Sequence, residues 1–186
     1  MLKVVLADDE NKVILLMQKL IDWNALGYEV VGVANDGPHA LELVQTQQPQ
    51  LLITDIRMPG CDGIELIRRA KELQPQLHFI VISGYRQFEY AQSALKYGVE
   101  DYLLKPLKQE ELSSILLRIK DKLGEEAAVE FQLKQNSERQ QERFIDTLKN
   151  AADHDQPFIN AAQADTEFGL HFADGCYFAA LVKPDI

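Results

Sequence analysis

The sequence predicts a doubly wound α/β domain over residues 1–123, and three observations predict it. Five short apolar runs rich in Val, Ile or Leu recur along this stretch. None alternates in and out, as strands of a parallel sheet covered by helices on both faces would not. Between the runs, apolar residues fall at spacings of three and four, which puts them on one face of a helix. Strand followed by helix, repeated five times in this length, is the pattern of an open parallel sheet.

Taken in order, the runs are Val4-Val5-Leu6-Ala7, Val30-Val31-Gly32-Val33, Leu51-Leu52-Ile53, Phe79-Ile80-Val81-Ile82 and Tyr102-Leu103-Leu104. The helical stretches are Val13-Ile14 to Met17 to Leu20-Ile21, Ala40-Leu41 to Val44, Ile64 to Ile67, and Ala91 to Ala94-Leu95. Gly27, Pro49 and Gly98 stand as C-terminal stop signals. From Gln109, Leu112, Leu116, Ile119 and Leu123 follow at helical spacing. They read first as the core face of a fifth helix, and second as the start of a heptad seam too short to establish a coiled coil.

The chain has 186 residues, 46% hydrophobic and 26% charged, with 10 Gly and 7 Pro. That excludes a disordered chain, a collagen-like repeat and a disulfide-dense miniprotein. A net charge of −10 argues against autonomous nucleic-acid binding. Cys61 and Cys176 belong to no metal or redox motif, no signal peptide is evident, and no apolar run approaches a membrane span. The expectation is a cytoplasmic protein with no membrane partner.

Charge and texture divide the chain into three parts. Residues 1–123 carry 14 basic against 17 acidic groups, residues 124–149 carry 4 against 6, and residues 150–186 carry 1 against 6. The first part is the α/β domain. The second is rich in Glu, Gln, Lys and Arg, good helix formers, and reads as a helical linker. The third has two apolar stretches, around Phe168 to Phe172 and Tyr177 to Val182, but is too short for its own core. It is expected to be the start of a truncated middle or output domain.

In an open α/β sheet, functional groups collect at the carboxyl ends of the strands. Asp8 and Asp9 stand after the first run, Asp55 after the third, Ser83 after the fourth, and Lys105-Pro106 after the fifth. Any one of these has an ordinary explanation: an Asp after a strand commonly caps a helix. Together they place three carboxylates on one edge. Two carboxylates ~5 Å apart at an effective dielectric near 20 repel by roughly 3 kcal/mol. Three need a cation, and an all-oxygen site completed by water suits Mg²⁺.

Asp8-Asp9, the segment Ile53-Thr-Asp-Ile-Arg-Met-Pro-Gly-Cys-Asp-Gly63, Ser83 and Lys105-Pro106 resemble the receiver domain of two-component response regulators, over residues 1–123. The resemblance implies a flavodoxin-like five-stranded parallel sheet in the order 2-1-3-4-5. It implies Asp55 as the phosphoacceptor, taking its phosphoryl group from a sensor histidine kinase. Mg²⁺ would be held by Asp9, Asp55 and the backbone carbonyl of Arg57, with Asp8 acting through water. Ser83 and Lys105 would contact phosphoryl oxygens, and Ser83 and Tyr102 would form the switch. Pro59, Gly60, Gly63 and Pro106 would shape the adjoining loops. Such a domain is a switch, not an enzyme with an external turnover, beyond its own phosphorylation and dephosphorylation.

Leu15-Leu16, Leu20-Ile21-Asp22-Trp23 and Leu26-Gly27-Tyr28 to Gly32 look like receivers that precede AraC-type helix-turn-helix output domains. DNA binding would then belong to an output domain absent from this chain. A homodimer could form through the helix after the fourth strand, the fifth strand and the helix after it, with Leu112, Leu116, Ile119 and Leu123 starting its seam.

Three other readings compete. A haloacid-dehalogenase-like phosphatase needs an acid two residues after its nucleophile, where this chain has Arg57. A flavodoxin needs a Ser/Thr- and Gly-rich phosphate loop, where this chain has acidic Asp8-Asp9-Glu10. A pseudo-receiver would not keep Asp8, Asp9, Asp55, Ser83 and Lys105 together.

Overall fold

The computed structural model describes residues 1–84 and 97–154, with side chains to residue 147. The strands are β1 (Leu2–Ala7), β2 (Tyr28–Ala34), β3 (Leu51–Asp55), β4 (His78–Ser83) and β5 (Asp101–Leu104). The helices are α1 (Asn11–Leu20), α2 (Trp23–Leu26), α3 (Gly37–Gln47), α4 (Gly63–Leu73) and α5 (Gln109–His154). The helix expected around Ala91 to Leu95 and the strands expected between residues 168 and 182 lie outside the described residues, as does Cys176.

All five expected strands form, and all pair in parallel, in the order β2-β1-β3-β4-β5. Every residue of β3 and β4 is buried. Their lack of alternation therefore reflects two covered faces. Alternate residues feed two cores. Val4, Leu6, Ile53, Ile80 and Ile82 pack with Ile14 and Met17 of α1 and Leu112, Leu116 and Ile119 of α5. Val5, Ala7, Leu52, Phe79 and Val81 pack with Ala40 and Val44 of α3 and Leu66, Ile67 and Ala70 of α4.

Leu112, Leu116 and Ile119 are wholly buried, and Leu123 packs against the same core. The core reading of this stripe holds, and the seam reading does not. The helix nonetheless continues past Gly124 as expected, to His154. The chain divides into two compact units, the first ending at Leu123 and the second beginning at Gly124. No described helix is long and apolar enough to cross a membrane.

Two helix ends differ from expectation. The stretch expected to run to Gly27 breaks at Ile21, whose backbone is extended, and Asp22 starts the separate helix α2 by accepting from the Ala25 N–H. Gly27, at φ +87°, closes α2 rather than α1. After α3, Gln48 takes the left-handed cap position at φ 49°, one residue before Pro49. The break at Ile21 brings Trp23 edge-on to Tyr28, with ring centres 6.4 Å apart. The Tyr28 hydroxyl donates 2.7 Å to the carbonyl of Leu116, tying the start of β2 to α5.

Candidate functional site at the carboxyl edge of the sheet

Asp8 directly follows β1 and is wholly buried. Its Oδ1 accepts from the Glu10 backbone N–H at 2.9 Å, and its backbone carbonyl accepts from the Asn35 amide at 3.2 Å. Asp55, the last residue of β3, is 7% exposed, and its Oδ1 accepts from the Ile56 N–H at 2.7 Å. Buried Thr54 donates its hydroxyl to the Asp55 carbonyl at 2.9 Å. Strand burial and backbone donors thus fix both carboxylates before any ligand is considered.

Lys105 reaches this pair from the end of β5. Its Nζ lies 2.9 Å from Asp8 Oδ2, 3.2 Å from Asp55 Oδ2 and 3.2 Å from Glu10 Oε1. Burial works against the lysine charge, but the bonds and charges of Asp8 and Asp55 outweigh it and hold the ammonium more firmly protonated than usual. Burial pushes the Asp8 carboxyl above its ordinary value, and Lys105 and the Glu10 N–H only partly offset it.

Asp9 and Glu10 are exposed beside this pair, and the carboxylate oxygens of Asp8, Asp9 and Glu10 lie within 4.8 Å of one another. Glu10 is a member of the cluster that sequence reasoning did not single out. Its signal was its place next to Asp8-Asp9, but only the fold shows that Lys105, 95 residues away, meets it.

Ser83 ends β4, 2% exposed, and its carbonyl accepts from the Lys105 N–H at 2.8 Å. That backbone bond aligns the two strand ends and directs Lys105 along the edge. Tyr102 lies opposite Val81 on β5 and packs, half-buried, against the core shared by α3 and α4. Arg57 is exposed and Met58 is buried. The Lys105-Pro106 peptide bond is cis.

The loop after Asp55 is shaped by close approach. The Gly63 N–H donates 2.7 Å to the Ile56 carbonyl, and a Cβ at Gly63 would sit 2.1 Å from the Asp55 carbonyl oxygen. Only a glycine lets α4 begin against the strand end that carries Asp55. Gly60 turns the chain at φ +77°, and the Pro59 carbonyl accepts from the N–H groups of Cys61 and Gly37. Asp62 then caps α4 by accepting from the Glu65 N–H.

Among the described residues, the four carboxylates of Asp8, Asp9, Glu10 and Asp55 gather at the Lys105 ammonium, an excess of acidic groups over this lysine. Asp8 Oδ2 is buried and, despite its ion pair with Lys105, has no hydrogen-bond partner in good geometry. All-oxygen donors with a surplus of charge suit a hard divalent cation. The residues present therefore fit Mg²⁺.

Sheet order, two-sided burial and a lysine–carboxylate cluster at the strand ends define a flavodoxin-like signalling domain. A family model of the response regulator receiver domain matches residues 4–117, and the chain belongs to that family, the receivers of two-component systems. The chain is 44% identical over 119 residues to the transcriptional regulatory protein YesN of Bacillus subtilis strain 168, covering 64% of this chain and 32% of that protein. It is 39% identical over 119 residues to the transcriptional regulatory protein HptR of Staphylococcus aureus strain NCTC 8325, covering 64% of this chain and 46% of that protein. The chain thus spans less than half the length of these relatives. Among solved structures, the receiver domain of AraT, a response regulator from Geobacillus stearothermophilus, matches with TM-score 0.65 and 42% identity over 68% of this chain and 98% of that one. The receiver domain of RcsB from Salmonella enterica serovar Typhimurium, solved with the phosphomimetic beryllofluoride, matches with TM-score 0.58 and 28% identity over 64% of this chain and 88% of that one.

Proposed function

We propose that Asp55 accepts a phosphoryl group from a sensor histidine kinase, with Mg²⁺, and that the domain relays this as a conformational switch. The observation that carries the reading is the Lys105 ammonium bridging Asp8 and Asp55 at a sheet edge where only Asp55 stands at the end of the central strand. Asp9, Asp55 and the Arg57 carbonyl would hold the metal, with Asp8 acting through water. When bound, the cation neutralises charge on the transferring group. Lys105 supplies a second positive charge and orients a phosphoryl oxygen, while backbone donors keep the Asp55 carboxylate still.

Ser83 would be drawn toward the phosphoryl oxygens, and Tyr102, paired across β5 and β4 with Val81 of Ser83's own strand, would move into the space it leaves. Pro59, Gly60, Gly63 and Pro106 would keep the surrounding loops in register. The downstream partner is an AraC-type DNA-binding output domain, a reading supported by the motifs around Trp23 and by relatives named as transcriptional regulators. The setting is the cytoplasm. Residues 1–123 act as the receiver, 124–149 as a helical linker, and 150–186 as the start of the next domain.

Incubation with acetyl phosphate and Mg²⁺ should add one acid-labile phosphoryl group, read by mass. Asp55→Asn should take up none. Full incorporation into that variant would overturn the assignment.

A further inference from the structure

The Lys105 ammonium has three donors and no more. Three carboxylates surround it: Asp8 at 2.9 Å, Asp55 at 3.2 Å and Glu10 at 3.2 Å. The ammonium's hydrogen bonds run to Glu10 and Asp55, while Asp8 is an ion-pair contact without hydrogen-bond geometry, so an entering phosphoryl oxygen competes with these carboxylates for the ammonium.

The three differ sharply in their freedom to give way. Asp8 is wholly buried and held by the Glu10 N–H. Asp55 is nearly buried and held by the Ile56 N–H. The Glu10 side chain is 61% exposed. Its backbone carbonyl opens α1 by accepting from the N–H groups of Val13 and Ile14, yet its carboxylate makes no capping bond. The side chain can therefore swing into water without loosening the helix.

We infer that Glu10 is a displaceable place-holder on Lys105, a positioning residue that slows entry of the phosphoryl group by occupying one ammonium donor until it is expelled. The inference rests on the reading of Asp55 as phosphoacceptor. In the transfer itself, an Asp55 carboxylate oxygen attacks phosphorus and the bond from phosphorus to the acetyl oxygen breaks. Acetate leaves with the electron pair, and no proton changes hands. Glu10 makes or breaks no bond in this step. It costs rate in two ways: it holds Lys105, and its charge repels the dianionic donor.

Because Glu10 is water-exposed, the effect is modest. A unit charge facing a dianion across several ångströms of high-dielectric medium changes a rate by roughly three- to tenfold.

The test compares wild type with Glu10→Gln and Glu10→Ala, using acetyl phosphate at saturating Mg²⁺, with beryllofluoride half-saturation as a second readout. Both variants should load roughly three- to tenfold faster and reach half-saturation at correspondingly lower beryllofluoride. The advantage should shrink as salt is raised to about 0.5 M, since exposed charges are screened there. A merely structural role for Glu10 would show no such salt dependence. Equal loading, or slower loading with weaker Mg²⁺ binding, would overturn the inference. So would a gain in Glu10→Ala alone, because that would be bulk and not charge. If wild type takes up no phosphoryl group, the reading of Asp55 falls and this inference with it. If wild type loads and the Gln variant loads no faster, only the inference falls.

Discussion

Lys105 Nζ sits between Asp8 Oδ2 at 2.9 Å and Asp55 Oδ2 at 3.2 Å, so one ammonium holds together two carboxylates from strands β1 and β3. Replacing it with methionine leaves both acids facing each other without compensation. Lys105→Met should cost about 2–3 kcal/mol at neutral pH without metal, less than a fully buried pair because the lysine side chain keeps some solvent contact. Its folded pKa is raised, so the stabilisation is fully present below the ordinary lysine value of 10.5 and is lost as pH rises through the folded value. Urea unfolding at neutral and alkaline pH checks this; a variant as stable as wild type at pH 7 would contradict it.

Asp8 shifts in the same direction as Lys105, but for a carboxyl this means that its charged form costs stability at neutral pH. Burial raises its carboxyl above the ordinary value of 3.8, so the folded protein binds this proton more readily than the unfolded chain. Stability associated with that proton is present below 3.8 and is lost as pH rises through the folded value. Asp8→Asn should therefore raise the melting temperature of the metal-free protein at pH 7, with the gain fading as the pH approaches 4. A lower melting temperature in the variant at neutral pH would show that Lys105 fully compensates the buried charge.

Gly63 makes a steric prediction. A Cβ there would lie 2.1 Å from the Asp55 carbonyl oxygen, so the backbone must shift where α4 meets the strand end. Gly63→Ala should cost about 2–4 kcal/mol, by overpacking at a site with no room to yield. Gly124 is the control: a Cβ there meets nothing within 4 Å, and it lies inside α5. Gly124→Ala should stabilise the helix by about 1 kcal/mol, from helix propensity alone. Chemical denaturation and helical circular dichroism distinguish the two, and equal effects would refute the steric account.

The strands were legible because β3 and β4 are buried on both faces, and burial leaves an unbroken apolar signature. The carboxyl-edge residues were legible for a related reason, since each stands within two residues of the end of such a run. Contacts between distant positions were not. Nothing in local pattern marks the Tyr28 hydroxyl for the carbonyl of Leu116, 88 residues on, or Glu10 for Lys105. The break between α1 and α2 was hidden because Ile21 continues the apolar spacing of α1 while its backbone is already extended. Gln48 at φ 49° was hidden because left-handed caps favour Gly or Asn, so Pro49 looked like the stop.

The proposed homodimer must now use a different surface from the seam first suggested by sequence. Leu112, Leu116 and Ile119 belong to the core, whereas Leu117 is 46% exposed on α5. Next to it, Arg118 reaches Asp101 of β5 at 2.6 Å, which ties this outer part of the helix to the strand. A phosphorylation-dependent dimer on the face of β5 and α5 would therefore place Leu117 within its contact and leave the core stripe untouched. Among the described residues of β5 and of α5 up to Leu123, Leu117 is the one exposed large apolar side chain, so the unphosphorylated dimer should be weak. Beryllofluoride with Mg²⁺ should shift a pre-existing equilibrium toward association. Sedimentation should show wild type associating at about 100 μM, well above a micromolar dissociation constant. Leu117→Asp, which sets a charge in the contact without disturbing the core, should remain monomeric while binding beryllofluoride normally. A wild-type monomer under both conditions would rule out the dimer, and a Leu117→Asp dimer as strong as wild type would move it to another face.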